Sequence, residues 1–243
     1  MSYVLILGAK SDIAKAVARE YAKNGYDLYL AGRNIAELAG FKTDIEIRTN
    51  RNVELKEFDM VDFTSHEAFY EALDPKPLGI IVAAGYMVDQ KIAQHSLDES
   101  LKTLHVNFTG CVSILNIVAD DFEAQKRGFI VGISSVAGDR GRKANYIYGS
   151  AKAGFSAYLS GLRNRLHVSG IQVMTVKPGF VNTKMTEGLD LPAKLTAEPE
   201  EVAYDIFKAQ QKGKDILYTK CIWKPIMLVI KHIPEFMFKK MSI

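Results

Sequence analysis

Seven short apolar runs alternate with longer amphipathic stretches along this chain of 243 residues, and that alternation constrains the architecture more than any other feature. Runs that are apolar throughout are buried on both faces, as strands of a parallel sheet are. Parallel neighbours need a crossover between them, and segments of helical period supply it. Strands are expected near 3–8, 27–31, 53–58, 79–84, 128–134, 171–177 and 215–218. Helices are expected near 12–24, 64–73, 98–124, 148–167 and 199–212. The pattern predicts an α/β chain with a doubly wound parallel sheet and helices on both faces. Residues 34–50, with mixed charges and Gly40, permit a short helix or a loop. Residues 183–198, beside Pro192 and Pro199, read as a mobile loop over a site. Without repeats or an interdomain linker, 1–220 form one expected domain and 221–243 a tail rather than a second domain.

The net charge of +3 is too small to indicate a nucleic-acid partner. Cys111 and Cys221 are the two cysteines, far apart and without metal-ligand spacing. They exclude a disulfide framework, indicate no metal and fit a reducing, cytoplasmic compartment. The N-terminus runs straight into a strand without a basic segment or cleavage site, so no signal peptide is expected. With no run of about 18 apolar residues, neither is a transmembrane helix.

Leu7-Gly8-Ala9-Lys10-Ser11-Asp12-Ile13-Ala14 joins the first strand to the first helix. Gly8 permits a tight turn, and the helix N-terminus offers amide donors to a pyrophosphate. Lys10, Ser11, Asp12 and Ile13 complete that candidate nucleotide turn. Asp12 and Ala14 stand where a glycine-rich turn usually has Gly, and Asp12 reads equally well as an N-cap. At the end of the second strand Arg33 stands where an NAD site usually carries an acid. An arginine there pairs with the 2′-phosphate of NADP; a solvated surface arginine is the alternative. Asp59 is placed to contact the adenine edge or to serve a turn, and Ala84-Gly85 allows the cofactor to approach the backbone.

Tyr148 and Lys152 lie in Tyr-Gly-Ser-Ala-Lys, with Ser135 thirteen residues before the tyrosine and Asn107 further upstream. A lysine one helical turn after a tyrosine shares its face, and its charge favours the tyrosinate. Hydride transfer between a nicotinamide and a carbonyl or alcohol carbon needs such an acid–base group. Tyr146 lacks the matching lysine and serine, and Ser134 is the neighbour that competes with Ser135. Gly8, Arg33, Asn107, Ser135, the Tyr148–Lys152 pair and Pro178-Gly179, in this order and spacing, resemble the short-chain dehydrogenase/reductase family over about residues 1–220.

The resemblance implies a Rossmann-type sheet, NADP(H) as cofactor and an enzyme that forms oligomers, here a homodimer or homotetramer. It implies that Tyr148 gives the proton to the substrate oxygen. Lys152 lowers the tyrosine's pKa and binds the nicotinamide ribose. Ser135 orients the carbonyl, and Asn107 supports a proton relay through a water beside Lys152. Pro178, Gly179, Val181 and Thr183 face the nicotinamide in this family. Leu7, in place of the usual Thr, and Val82-Ala83-Ala84-Gly85, in place of an asparagine-rich motif, depart from the pattern. A non-catalytic NADP sensor or scaffold would be expected to lack Tyr148, Lys152 or Ser135, and all three are present.

Two segments bear on the substrate. Asp139-Arg140-Gly141-Arg142-Lys143 brings three cations to the loop after Ser135, either to hold a substrate phosphate or as a solvated basic loop. Residues 214–243 set six lysines against Asp215 and Glu235, around Trp223 and the apolar run 226–230. That pattern suits a helix lying on anionic lipid, and equally a tail packed on its own core or on a partner subunit. Ser134-Ser135-x-Ala137-Gly138-x-Arg140, the Tyr148 to Gly154 segment and Lys231-His232-Ile233-Pro234 resemble the decaprenylphosphoryl-2-keto-ribose reductase branch of the family. The branch resemblance implies reduction of a keto-sugar carried on a polyprenyl phosphate, at the inner membrane face, in cell-envelope polysaccharide synthesis. A soluble reductase of a free ketone, alcohol or sugar phosphate is the alternative.

Overall fold

The computed structural model describes residues 2–188 and 190–241. Parts of three expected segments lie outside the described residues: Met1 of the domain, Leu189 of the 183–198 loop, and Ser242 and Ile243 of the tail. The first half of the described chain runs β1 (Tyr3–Leu7), α1 (Asp12–Lys23), β2 (Asp27–Gly32), α2 (Ala39–Thr49), β3 (Val53–Glu57), α3 (His66–Glu71) and β4 (Gly79–Val82). Next come α4 (Gln90–Ala93), α5 (Leu97–Leu104), α6 (Gly110–Gln125), β5 (Phe129–Ile133) and α7 (Tyr146–Leu166). The chain continues through β6 (Gln172–Pro178), β7 (Phe180–Val181), β8 (Thr196–Ala197), α8 (Pro199–Gln211), β9 (Ile216–Thr219), α9 (Trp223–His232) and α10 (Glu235–Phe238).

All seven expected strands form, and they pair in parallel in the order β3-β2-β1-β4-β5-β6-β9. Side chains of a strand alternate between faces, so β1 feeds two cores. Val4 and Ile6 join Val17, Tyr21, Val202 and Ile206 of α1 and α8. Leu5 and Leu7 join Ile114, Leu115 and Phe122 of α6 and Phe155 and Leu159 of α7. Every residue of β1, β2, β4 and β5 is buried, which is why these strands read as unbroken apolar runs. The strand order reverses between β1 and β4, and in such sheets ligands bind at the carboxyl ends beside that point.

The helices depart from expectation in three places. Residues 34–50, left open between helix and loop, form a short 3₁₀ turn and then α2, which buries only Ile45. The expected helix 98–124 is one continuous body, but its middle, His105–Thr109, is a π-helical segment between α5 and α6. A Cβ on Gly110 would lie 2.0 Å from the Met60 carbonyl oxygen, so glycine lets the helix close against the loop after β3. By length and a mean hydropathy of 1.2, Leu97–Gln125 would suffice to cross a membrane, although the sequence offers no obvious span. Cys111, Ile114, Leu115, Val118, Ala119 and Phe122 of that body are buried in the core, as in an ordinary sheet-covering helix. Within 183–198, where a mobile loop is expected, two short 3₁₀ turns, Lys184–Thr186 and Ala193–Leu195, lead from β7 to β8, which pairs with it. Both cysteines are free, as expected.

Candidate active site

β1, β4, β5 and β6 end together, and a cavity opens above their carboxyl ends. Gly8 starts the nucleotide turn with φ +77°, and its N–H and that of Ala9 both donate to Ala31 O, at 2.9 and 3.1 Å. A Cβ on Gly8 would sit 2.6 Å from the Ala84 backbone, so the turn needs glycine for space as well as for its dihedral. Ser11, not Asp12, is the N-cap of α1: its Oγ accepts from Ala14 N at 3.2 Å. Asp12 is free for another task, and its Oδ2 accepts from Lys184 N at 2.9 Å. That bond ties the segment after β7 to the nucleotide turn.

Two adjoining cavities share Lys10, Ser11, Ala83, Ala84 and Gly85. One, of about 820 Å³, adds Gly8, Arg33, Asn34, Glu57 and Asp59. Arg33 is exposed there and has no ion-pair partner among the described residues, whereas Lys10 pairs with Glu37 at 2.7 Å. Glu57 did not stand out in the sequence. Its two oxygens accept from Asn34 N at 2.7 Å and Ile35 N at 3.1 Å, which fixes the backbone after Arg33. Asp59 Oδ1 accepts from Val61 N, a turn contact, while its side chain lines the same cavity.

The other cavity, of about 370 Å³, holds Ser135, Tyr148 and Lys152 together with Asp12, Ile13, Pro178, Gly179, Val181 and Thr183. Lys152 is only 3% exposed, and its Nζ donates to Ile133 O at 3.0 Å, 5.7 Å from the Tyr148 ring centroid. Burial pulls the Lys152 ammonium down to about 8. Burial pushes the Tyr148 hydroxyl up to about 12, against a hydrogen bond from Ser135 that favours the tyrosinate. Desolvation is the larger influence on this tyrosine, and Ser135 opposes it. Ser134 turns away: its Oγ bonds Lys152 O at 2.9 Å and Ser156 Oγ at 2.7 Å, pinning α7 to β5. Tyr146 is 43% exposed and donates to Gln94 outside the cavity.

Asn107 lies in the π segment, fully buried, and is not among the cavity-lining residues. Its Nδ2 donates to Tyr86 O at 2.6 Å and Thr103 O at 2.8 Å, and its Oδ1 accepts from Tyr86 N at 3.3 Å. The amide thus clamps the loop after β4, beside Gly85, to the helix.

The tail packs behind the cavity wall. Trp223 and Met227 of α9 are buried against Val136, with Phe180 alongside. Trp223 Nε1 donates to Leu195 O at 3.0 Å, and a Cβ on Gly179 would meet Trp223 at 1.9 Å. The basic loop does not present three cations to this space. Arg140 pairs with Glu235 at 2.6 Å, donates to Lys231 O and stacks over Phe238, which fastens the tail to the loop. Only Arg142 of the three lines the cavity, with Asn145. Lys184, Met185 and Thr186, from the segment expected to lie over a site, also line it, as does Met87, which no local sequence signal marks.

A glycine turn at the switch point of a doubly wound sheet, opening onto a half-buried serine and tyrosine beside a buried lysine, defines an oxidoreductase of the nicotinamide-dependent class. The model of the short chain dehydrogenase family matches residues 2–193. An uncharacterized oxidoreductase of Mycobacterium tuberculosis is 34% identical over 241 residues, covering 98% of this chain and 96% of that protein. One from Streptomyces coelicolor is 31% identical over 257 residues, covering 99% and 96%. A short-chain dehydrogenase from Sphingobium yanoikuyae in complex with NADPH has the same fold, with a TM-score of 0.83, 23% identity and 97% of each chain covered. The chain belongs to the short-chain dehydrogenase family and is an NAD(P)-dependent oxidoreductase acting on CH–OH or C=O groups.

Proposed function

We propose that this protein is an NADPH-dependent reductase of a ketone, with Tyr148 as the proton donor. The observation that carries this reading is that Ser135, Tyr148 and Lys152 meet in a cavity continuous with Gly8 and Arg33. The tight turn at Gly8, leading into the N-terminus of α1, fits the pyrophosphate of a dinucleotide. Gly8, Lys10, Ser11, Asp12, Ile13, Ala84 and Gly85 would hold the pyrophosphate region. Arg33 and Asp59 would hold the adenosine end. Pro178, Gly179, Val181, Thr183, Tyr148 and Lys152 would hold the nicotinamide end. NADPH bound there supplies the hydride.

Tyr148 gives its proton to the carbonyl oxygen as that oxygen gains charge. An alkoxide is a stronger base than a tyrosinate, so the transfer is downhill even from a raised pKa. The Ser135 hydroxyl, whose influence on Tyr148 favours the tyrosinate, orients the carbonyl before the transfer and steadies the tyrosinate left behind. Asn107 acts at one remove, as a positioning residue that holds the backbone beside Gly85. Arg33 favours NADPH over NADH. Glu57, an acid of the same cavity, is occupied by backbone donors and so is not free to select a ribose 2′-OH.

The substrate in this reading is a keto-sugar on a phosphate or polyprenyl phosphate, in cell-envelope polysaccharide synthesis. The branch motifs support it, as do Leu228, Val229, Phe236 and Met237, which are exposed on the outer face of the tail near Lys224, Lys231, Lys239 and Lys240. That face would rest on the inner membrane surface. The buried inner face of the same tail favours a second reading, a soluble reductase of a free ketone, alcohol or sugar phosphate. Exposed Ile92, Leu97, Leu101 and Tyr146 supply apolar area for a homodimer or homotetramer in either case. NADPH oxidation with one keto-pentose, offered free, as the 1-phosphate and as a polyprenyl phosphate in detergent, separates these readings. Turnover of the lipid form alone is expected; equal turnover of the free sugar would overturn the lipid-linked reading.

A further inference from the structure

The active-site cavity contains a cation, Arg142, that closes no salt bridge among the described residues. Burial pulls its guanidinium below the ordinary pKa. Asp139 is the carboxylate that acts on it, but both oxygens of Asp139 are taken, by Lys177 and by the Tyr218 hydroxyl. Arg142 Nη2 makes only two long contacts, to Val136 O at 3.4 Å and Met227 Sδ at 3.5 Å. Its Nε is buried with no hydrogen-bond partner, and so is Oδ1 of Asn145 on the same wall. A buried charge left unpaired is costly, and it persists where something else completes it. The 2′-phosphate end of the nucleotide does not fit that role, because Gly8 and Arg33 line the adjoining cavity and not this one, whereas Arg142 packs against Met227 of α9.

We propose that Arg142 receives an oxyanion carried by the substrate itself, a phosphate or carboxylate, while Asn145 Oδ1 accepts from a neighbouring substrate hydroxyl. The guanidinium fork suits two parallel bonds to such a group; a ketone lacking the oxyanion leaves Arg142 Nε unsatisfied, and one lacking the hydroxyl leaves Asn145 Oδ1 so. The occupant rests on the ketone-reductase reading, but the anion site itself does not.

The test is calorimetric titration of the NADPH-loaded protein with methyl phosphate and with acetate, for the wild type, Arg142→Lys and Arg142→Met. Arg142→Met is expected to weaken the preferred ion by about ten- to hundredfold, with Arg142→Lys in between. The preferred ion says whether the substrate group is a phosphate or a carboxylate. The melting temperature of Arg142→Met is expected to equal or exceed that of the wild type, because a binding residue left unpaired burdens the fold. A structural strut would lower the melting temperature in both variants. Undiminished binding by Arg142→Met, binding of neither ion by the wild type, or that joint fall in melting temperature would overturn the proposal. Ion binding through Arg142 with no ketone reduced would leave the site standing and sink the reductase reading. In turnover, kcat/KM for the keto-pentose on polyprenyl phosphate is expected to fall about tenfold or more in Arg142→Met.

Discussion

Tyr148 and Lys152 are moved by one cause, burial, in opposite directions, and the consequences have opposite signs with pH. Lys152 titrates near 8 in the folded chain against 10.5 as its ordinary value. Its buried charge opposes folding at neutral pH, and that cost is relieved as pH rises from about 8 to 10.5, where the folded chain has lost the proton and the unfolded chain has kept it. Lys152→Met is therefore expected to stabilise the protein in urea at pH 7 by up to about 3 kcal/mol, with the gain fading above pH 8, while turnover is lost. Tyr148 remains protonated to about 12, so kcat/KM for ketone reduction should be level at neutral pH and fall as Lys152 neutralises above about 8. A fall centred near 10 would instead assign the limb to an unburied tyrosine or lysine. Arg33→Gln is expected to raise the NADPH dissociation constant about ten- to hundredfold and to leave that for NADH nearly unchanged, as read by fluorescence titration.

At the scale of elements, what is legible in the sequence depends on how completely a segment is buried. The strands were readable because both faces are covered, and the helices flanking them because their stripes match. α2 was not, since Ile45 is its one buried residue, and α4 is only four residues long. The π segment His105–Thr109 is invisible to periodicity, because it shifts the register without changing composition. Asn107→Ala would leave the Tyr86 N–H and carbonyl unpaired inside that clamp, and a stability loss of about 1–3 kcal/mol is expected in denaturant titration. The tail is an element of the same kind. Trp223→Ala removes the indole that fills the space over Gly179, with an expected loss of about 3–5 kcal/mol in the same measurement.

At the scale of the molecule, the order of Gly8, Ser135, Tyr148 and Lys152 was enough to name the chemistry, since these residues act where strand ends and one helix face put them. What the sequence withheld are contacts between distant segments. Asp12 reaches Lys184 across 172 positions, Arg140 is drawn off to Glu235, and Arg142 is left as the cation in the cavity. The same folding-over gives the tail two faces, one packed behind the cavity wall and one outside. If the outer face rests on lipid, replacing Leu228, Val229, Phe236 and Met237 with Ser should abolish co-sedimentation with anionic vesicles and spare the melting temperature. Beneath every substrate reading lies one claim, that Tyr148 protonates a ketone oxygen. The most direct measurement compares wild type and Tyr148→Phe in NADPH binding and in NADPH oxidation over the keto-pentose panel. The expected result is turnover reduced by about a hundredfold or more with NADPH affinity kept. Turnover by Tyr148→Phe at the wild-type rate would contradict it.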